Sequence, residues 1–175
     1  MRLALAAALG LFTRPVAGDD FVGPRGRDVP SVFFIARSSN KNQVHYGVRV
    51  DEACNVVGVE PVYGYWRMFE NRGEIEPILG IEKPAYGLQD AQQIERRIGA
   101  TAVRVKLRAF PERPLVVSIA KSEHGCEASA TISIAGQDAL FRSIYVRLKW
   151  PFGVDYVLVR GVTKEGRRVE ELIRN

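Results

Sequence analysis

The chain has 175 residues, 25 basic and 20 acidic side chains, and an apolar content of 46%. This is the composition of an ordinary globular domain, long enough for one core that buries roughly 70% of the unfolded surface. It excludes a collagenous or low-complexity chain, and the lack of like-charge blocks argues against a basic nucleic-acid-binding arm.

Met1-Arg2 is a short positive leader, and Leu3 to Phe12 is an apolar run, too short to span a bilayer, which takes about 20 residues. Val16-Ala17-Gly18 places small residues where a signal peptidase cuts. Residues 1–18 are therefore expected to be a cleaved secretory signal, which places the mature chain in the periplasm or the medium. Loss of Arg2 and Arg14 leaves 23 basic against 20 acidic side chains, a net charge of +3. No later stretch is long and apolar enough to be a transmembrane helix.

Residues 19–30, rich in Gly and Pro, read as an irregular lead-in, and 31–175 as a single β domain. Val32 to Ser38 is apolar on both faces, a buried strand. Asn40-Lys41-Asn42 is a turn. Val44, Tyr46, Val48 and Val50 then alternate with His45, Gly47, Arg49 and Asp51, a half-buried strand completing a hairpin. A short strand at 56–59 and an aromatic one at 62–69 follow. Glu76 to Ile81 reads as a helical turn. Leu88, Ala91, Ile94 and Ile98 fall at helical spacing, which predicts a short amphipathic helix over 88–98, ended by Gly99.

The second half alternates almost throughout. Strands are expected at 103–108, 115–121, 128–134, 140–150, 154–162 and 167–173, with turns at Pro111–Pro114, Ser122–Gly125, Ala135–Asp138, Pro151–Gly153 and Lys164–Gly166. The fold class is mainly β: an antiparallel meander of about eight strands, closed as a small barrel or folded into a sandwich, with one short helix. Small barrels often hold one ligand at the mouth.

Cys54 and Cys126 fit a disulfide formed in an oxidising compartment. Two free thiols, or a Cys2His2 metal set with His45 and His124, are the other readings, although the spacing matches no standard zinc pattern. The Arg37 to Asn42 stretch is the densest set of hydrogen-bonding side chains. Arg37 ends an apolar strand on the face of Phe33 and Ile35, where an unpaired charge is costly. Its planar fork suits a carboxylate or phosphate, and Lys41 adds a point charge. Arg37, Asn40, Lys41 and Asn42, with Tyr86 at a pocket mouth, are thus the candidate ligand-binding residues; a solvated hairpin turn is the plainer explanation. Arg104, Lys106 and Arg108, with Arg147 and Lys149, form a basic stripe suited to an acidic envelope polymer, or simply a solvent face. Gly64-Tyr65-Trp66 has the Gly-x-Trp pattern of lipocalins, but lies too far along the chain for that family's first strand; a core-packed aromatic strand accounts for it equally. No nucleophile elbow, metalloprotease helix or phosphate loop is present, so neither catalytic residues nor a cofactor or metal are assigned.

Phe33 to Asn42, with its Arg-Ser-x-Asn-Lys-Asn string, Pro61-Val62 to Trp66, Ala85-Tyr86-Gly87, Ile144-Tyr145-Val146, Tyr156-Val157 and Gly161 together resemble a bacterial secreted domain-of-unknown-function family, DUF4833. The resemblance implies export and one compact domain over roughly 30–173, and it supplies no activity. Residues 89–100 look longer than that family requires, as an insertion would. The expectation is an exported, non-enzymatic binding module for a small or anionic ligand. An envelope interaction protein using the basic face, and a hydrolase with a scattered site around His45 or His124, are the alternatives.

Overall fold

The computed structural model describes residues 23–97, 100–151 and 153–174; the leader 1–18 and the cap residue Gly99 lie outside them. Among these residues eleven strands and one short helix follow in order. The first set is β1 (Val29–Arg37), β2 (Gln43–Val48), β3 (Val62–Met68) and β4 (Glu74–Pro77). Next come a 3-10 turn at Gly80–Glu82 and α1 (Lys83–Tyr86). The second set is β5 (Leu88–Arg97), β6 (Ala100–Leu107), β7 (Phe110–Ser122), β8 (Gly125–Ile134), β9 (Gln137–Lys149), β10 (Gly153–Val162) and β11 (Arg168–Arg174).

The strands run β4-β3-β2-β1-β9-β8-β7-β6-β5 in one curled sheet, a half-barrel, with β10 and β11 continuing from β9. Two antiparallel meanders meet at a parallel pair, Phe34–Arg37 of β1 against Ser143–Val146 of β9. A strand has two edges. β10 covers one edge of β9 from Leu140 to Lys149, so β8 and β1 share the other, at Gln137–Phe141 and Ser143–Val146. That shared edge turns the sheet on itself. The concave side holds the core: Phe33, Ile35, Val44, Tyr46 and Val48 from the first meander, and Val103, Val105, Leu115, Val117, Ile132 and Phe141 from the second.

Within the helix expected over 88–98, the described residues 88–97 form a strand instead; Ile98 lies outside them. Leu88–Arg97 pairs along its length with β6, with irregularities between Leu88 and Asp90 and between Gln93 and Glu95. Each bulge inserts one residue, so Leu88 and Ala91 both pack on the core at a spacing of three. The bulge between Leu88 and Asp90 thus gives these two residues a helix-like spacing. The single short helix lies earlier, at Lys83–Tyr86, and Pro84 sits in its first turn, where a missing N–H costs nothing. Nor does Pro111–Pro114 turn the chain. The hairpin turns at Arg108–Ala109, with Leu107 opposite Phe110. The prolines fall in a bulge of β7, where no ladder donor is needed.

β2 is buried on both faces rather than one: His45 and Gly47 on the convex side are buried, as Val44 and Tyr46 are on the concave side. A Cβ on Gly47 would stand 2.7 Å from the Tyr63 hydroxyl and 2.8 Å from the Val29 carbonyl, so only glycine lets β1 and Tyr63 close over it.

Cys54 and Cys126 form a disulfide, Cα–Cα 5.4 Å, which ties the β2–β3 loop to the start of β8. Both sulfurs are thereby committed, so neither the free-thiol nor the Cys2His2 reading holds. The Asp51 carboxylate shapes the loop by accepting from Ala53 N and Asn55 N, each at 2.9 Å, and places Cys54 at φ 62°. At the far side Glu171 of β11 accepts from both terminal nitrogens of Arg113, at 2.5 and 2.6 Å, and from Ala135 N at 2.6 Å. Those bonds hold its carboxyl down at about 2.

Candidate functional site

β4 and β5 are the two ends of the sheet path, so the half-barrel has a seam, and the 3-10 turn and α1 lie across it. This plug is anchored on both sides. Tyr46 of β2 donates its hydroxyl to the Tyr86 carbonyl at 2.6 Å. Burial, and then neighbouring Tyr86, push the Tyr46 phenol far above its usual range, so it stays a neutral donor. Gly64 of β3 leaves room for Ile78, whose Cδ1 would stand 2.7 Å from an added Cβ. On the other flank Arg108 donates its backbone N–H to the Gly87 carbonyl and its Nε to the Leu88 carbonyl, both at 2.9 Å.

Beside the plug lies a cleft of about 480 Å³. Its apolar wall includes Val62, Ile78, Leu88 and Ala91; its polar wall includes Lys83, Arg108, Glu60 and Tyr86. Two cations face one carboxylate, so the wall favours an anion. Val59 and Ile81, both almost fully exposed, are close by in the chain, and Val59 itself lines the cleft.

Trp66, only 4% exposed, connects this cleft to the Arg37 corner. One oxygen of Glu82 accepts both the Trp66 indole N–H and the Leu79 backbone N–H, each at 2.9 Å. Tyr86 meets the Trp66 ring edge-on with centroids 5.1 Å apart. The Arg37 guanidinium stacks over the same ring, 4.7 Å from its centroid, a cation–π contact. Arg37 also donates Nε to Asn40 Oδ1 at 3.2 Å, and among the described residues it forms no ion pair.

The structure therefore brings Arg37 and Tyr86 together through Trp66, although 49 positions separate them in sequence. Asn40 and Asn42 have backbone tasks. Asn40 Oδ1 also accepts from Asn42 N, and buried Asn42 accepts from Glu70 N at 3.1 Å while its amide reaches Glu70 Oε2 at 3.4 Å. Lys41 is exposed beside them. Tyr86 alone of the five candidates lines the cleft. Arg108 was legible only as part of a basic stripe. The stripe itself divides: Arg104 and Lys106 are on β6, Arg147 and Lys149 on β9, with β7 and β8 between. Trp66 of the Gly-x-Trp triplet lies beneath Arg37 of β1.

The convex face of the same three strands carries a second cluster. His45 is 7% exposed, with Nδ1 2.7 Å from Ser31 Oγ and Nε2 3.1 Å from Gln43 Oε1. Phe34 and Tyr65 stack on its ring and Phe69 tilts against it. Burial, and then the Arg67 charge, lower its pKa to about 4. His124 is exposed on the β7–β8 turn.

A family model described as a domain of unknown function, DUF4833, matches residues 33–171, a span that takes in the Arg37 corner, Trp66, the seam plug and both cysteines. No curated protein and no solved structure matches. With most of its length in that match, the chain belongs to the DUF4833 family.

Proposed function

We propose that the protein is an exported binding module whose ligand is a small anionic molecule with an apolar part, held in the seam cleft. One observation carries this reading: Tyr86 both lines the cleft and packs on the indole that supports Arg37. The apolar wall takes the hydrocarbon part, and Lys83 and Arg108 take the charge. Arg37 then acts from behind Trp66, fixing the indole and so the Tyr86 edge of the cleft. Pockets of this kind, mostly preformed with few convergent polar groups, are where small ligands bind. The leader and the disulfide support export, since such bridges persist in oxidising compartments.

Isothermal titration with octanoate tests the site. Binding is expected for the wild type. Lys83→Ala and Arg108→Ala should each weaken it about tenfold, or about 1.4 kcal/mol. Arg37→Ala should weaken it less, through the displaced indole. Equal affinity in all four proteins sinks the assignment. Export is checked by the intact mass of secreted material, which should begin at Asp19 and be 2 Da lighter than the dithiol, the mass of the two hydrogens lost on bridging.

A further inference from the structure

We propose that Ser31, His45 and Gln43 form a nucleophilic site for acyl transfer from esters on the convex face, distinct from the seam cleft. The arrangement has the three parts such a site needs: a nucleophile, a base within hydrogen-bond reach, and a group that orients the base. Ser31 Oγ is 2.7 Å from His45 Nδ1, and Gln43 Oε1 stands 3.1 Å from Nε2. In that geometry Nε2 carries the proton, donated to the Gln43 carbonyl, and Nδ1 offers its lone pair to the serine hydroxyl. Ser31 is exposed while its base is buried, so the nucleophile reaches solvent and the base does not.

The backbone delivers Ser31 to this face by a bulge. Val29 pairs with Val48 and Phe33 with Tyr46, which sets Pro30, Ser31 and Val32 against Gly47 alone. Pairing with β9 begins only at Phe34. Without the bulge Ser31 would share the core face with Phe33 and Ile35; with it, the hydroxyl meets His45 on the other side. The Tyr65 hydroxyl, 2.8 Å from the Pro30 carbonyl, pins the bulge. Ser31 and Val32 have no register partners on β2. Phe34 and Phe69 beside His45, the latter 42% exposed, favour an aromatic or other apolar acyl group.

The step balances with water as co-reactant. Ser31 Oγ bonds to the ester carbonyl carbon as its proton passes to His45 Nδ1. The carbonyl π pair moves onto oxygen, then returns as the alcohol leaves with the His45 proton. Water, deprotonated by His45, cleaves the acyl-serine, releases the carboxylic acid and restores Ser31.

Labelling the full-length protein with a fluorophosphonate and locating the adduct by peptide mass spectrometry tests the site. One adduct on Ser31 is expected. Ser31→Ala, an exposed change that leaves the core intact, should abolish it. Gln43→Ala should slow labelling at least tenfold, and Gln43→Glu, by making the imidazole more basic, should quicken it severalfold. The wild-type rate should rise with pH through about 4, where His45 loses its proton, and then level off. No adduct between pH 5 and 9 reduces the Ser31–His45 bond to a structural latch and overturns the proposal. So does an adduct that persists in Ser31→Ala, or a rate indifferent to Gln43. Octanoate titration is read separately, so either site can fail alone.

Discussion

His45 ties side-chain chemistry to stability. Gln43 Oε1 accepts from one ring nitrogen, and the neutral ring takes the Ser31 hydroxyl proton at the other. Burial, and then Arg67 from β3, disfavour the imidazolium and lower the pKa from 6.5 to about 4. Between those values the unfolded chain binds a proton that the folded chain refuses. Stability contributed by the neutral ring is therefore complete above pH 6.5 and is lost as the pH falls towards 4, by roughly 2 kcal/mol. Urea midpoints at pH 7 and 4.5 check this: the wild type should lose that amount, and His45→Gln should be nearly flat over the interval. Glu171 does not confuse the reading. Its carboxyl is lowered from 4.5 to about 2, so its contribution is present above 4.5 and is lost only below that. The Arg37 corner was legible from residue types because a guanidinium ending an apolar strand requires a partner. That the partner is an indole 29 positions away was not, since local pattern carries no pairing information.

At the scale of elements, the plug across the seam depends on Gly64. An added Cβ would stand 2.7 Å from Ile78 Cδ1 and 3.1 Å from Tyr46 Cε1. Ile78 can move, but it immediately precedes the turn in which Glu82 holds the Trp66 indole. Gly64→Ala is expected to cost about 1–3 kcal/mol, as overpacking does. It should also red-shift Trp66 emission, measured with Trp150→Phe so that a single indole reports. Silent fluorescence with unchanged stability would mean that the plug does not rest on β3. The same scale explains the misread helix. Alternation is the signature of a regular strand, and β5 is irregular between Leu88 and Asp90, so Leu88 and Ala91 reach the core three apart. By contrast β8, β9 and β10 kept their period over most of their length and were legible in the sequence, as were the tight turns at Gly125, Gly136 and Gly166, each with a positive φ that glycine supplies.

For the molecule as a whole, the parallel β1–β9 pair and the disulfide both join the meanders, beside the shared core. The bridge closes a sequence separation of 72 residues. In the chain-entropy model that stabilises by about 4 kcal/mol through the unfolded state. Cys54→Ser with Cys126→Ser should lower the folding free energy by about that amount in a denaturant titration. A loss below about 1 kcal/mol would show that the sheet contacts alone hold the halves together. No helix among the described residues is long and apolar enough to cross a membrane.

The sequence by itself determined the class of fold, most strand positions and turns, and the two cysteines that would pair if any did. These follow from period-two burial and turn chemistry, which act between near neighbours. Only the tertiary structure decided that the meanders join in parallel, that Trp66 links Arg37 to Tyr86, that a seam leaves a cleft lined by Lys83 and Arg108, and that a bulge turns Ser31 towards His45. Each of these joins residues from different strands, and side-chain period within one strand does not specify which strand will lie beside it.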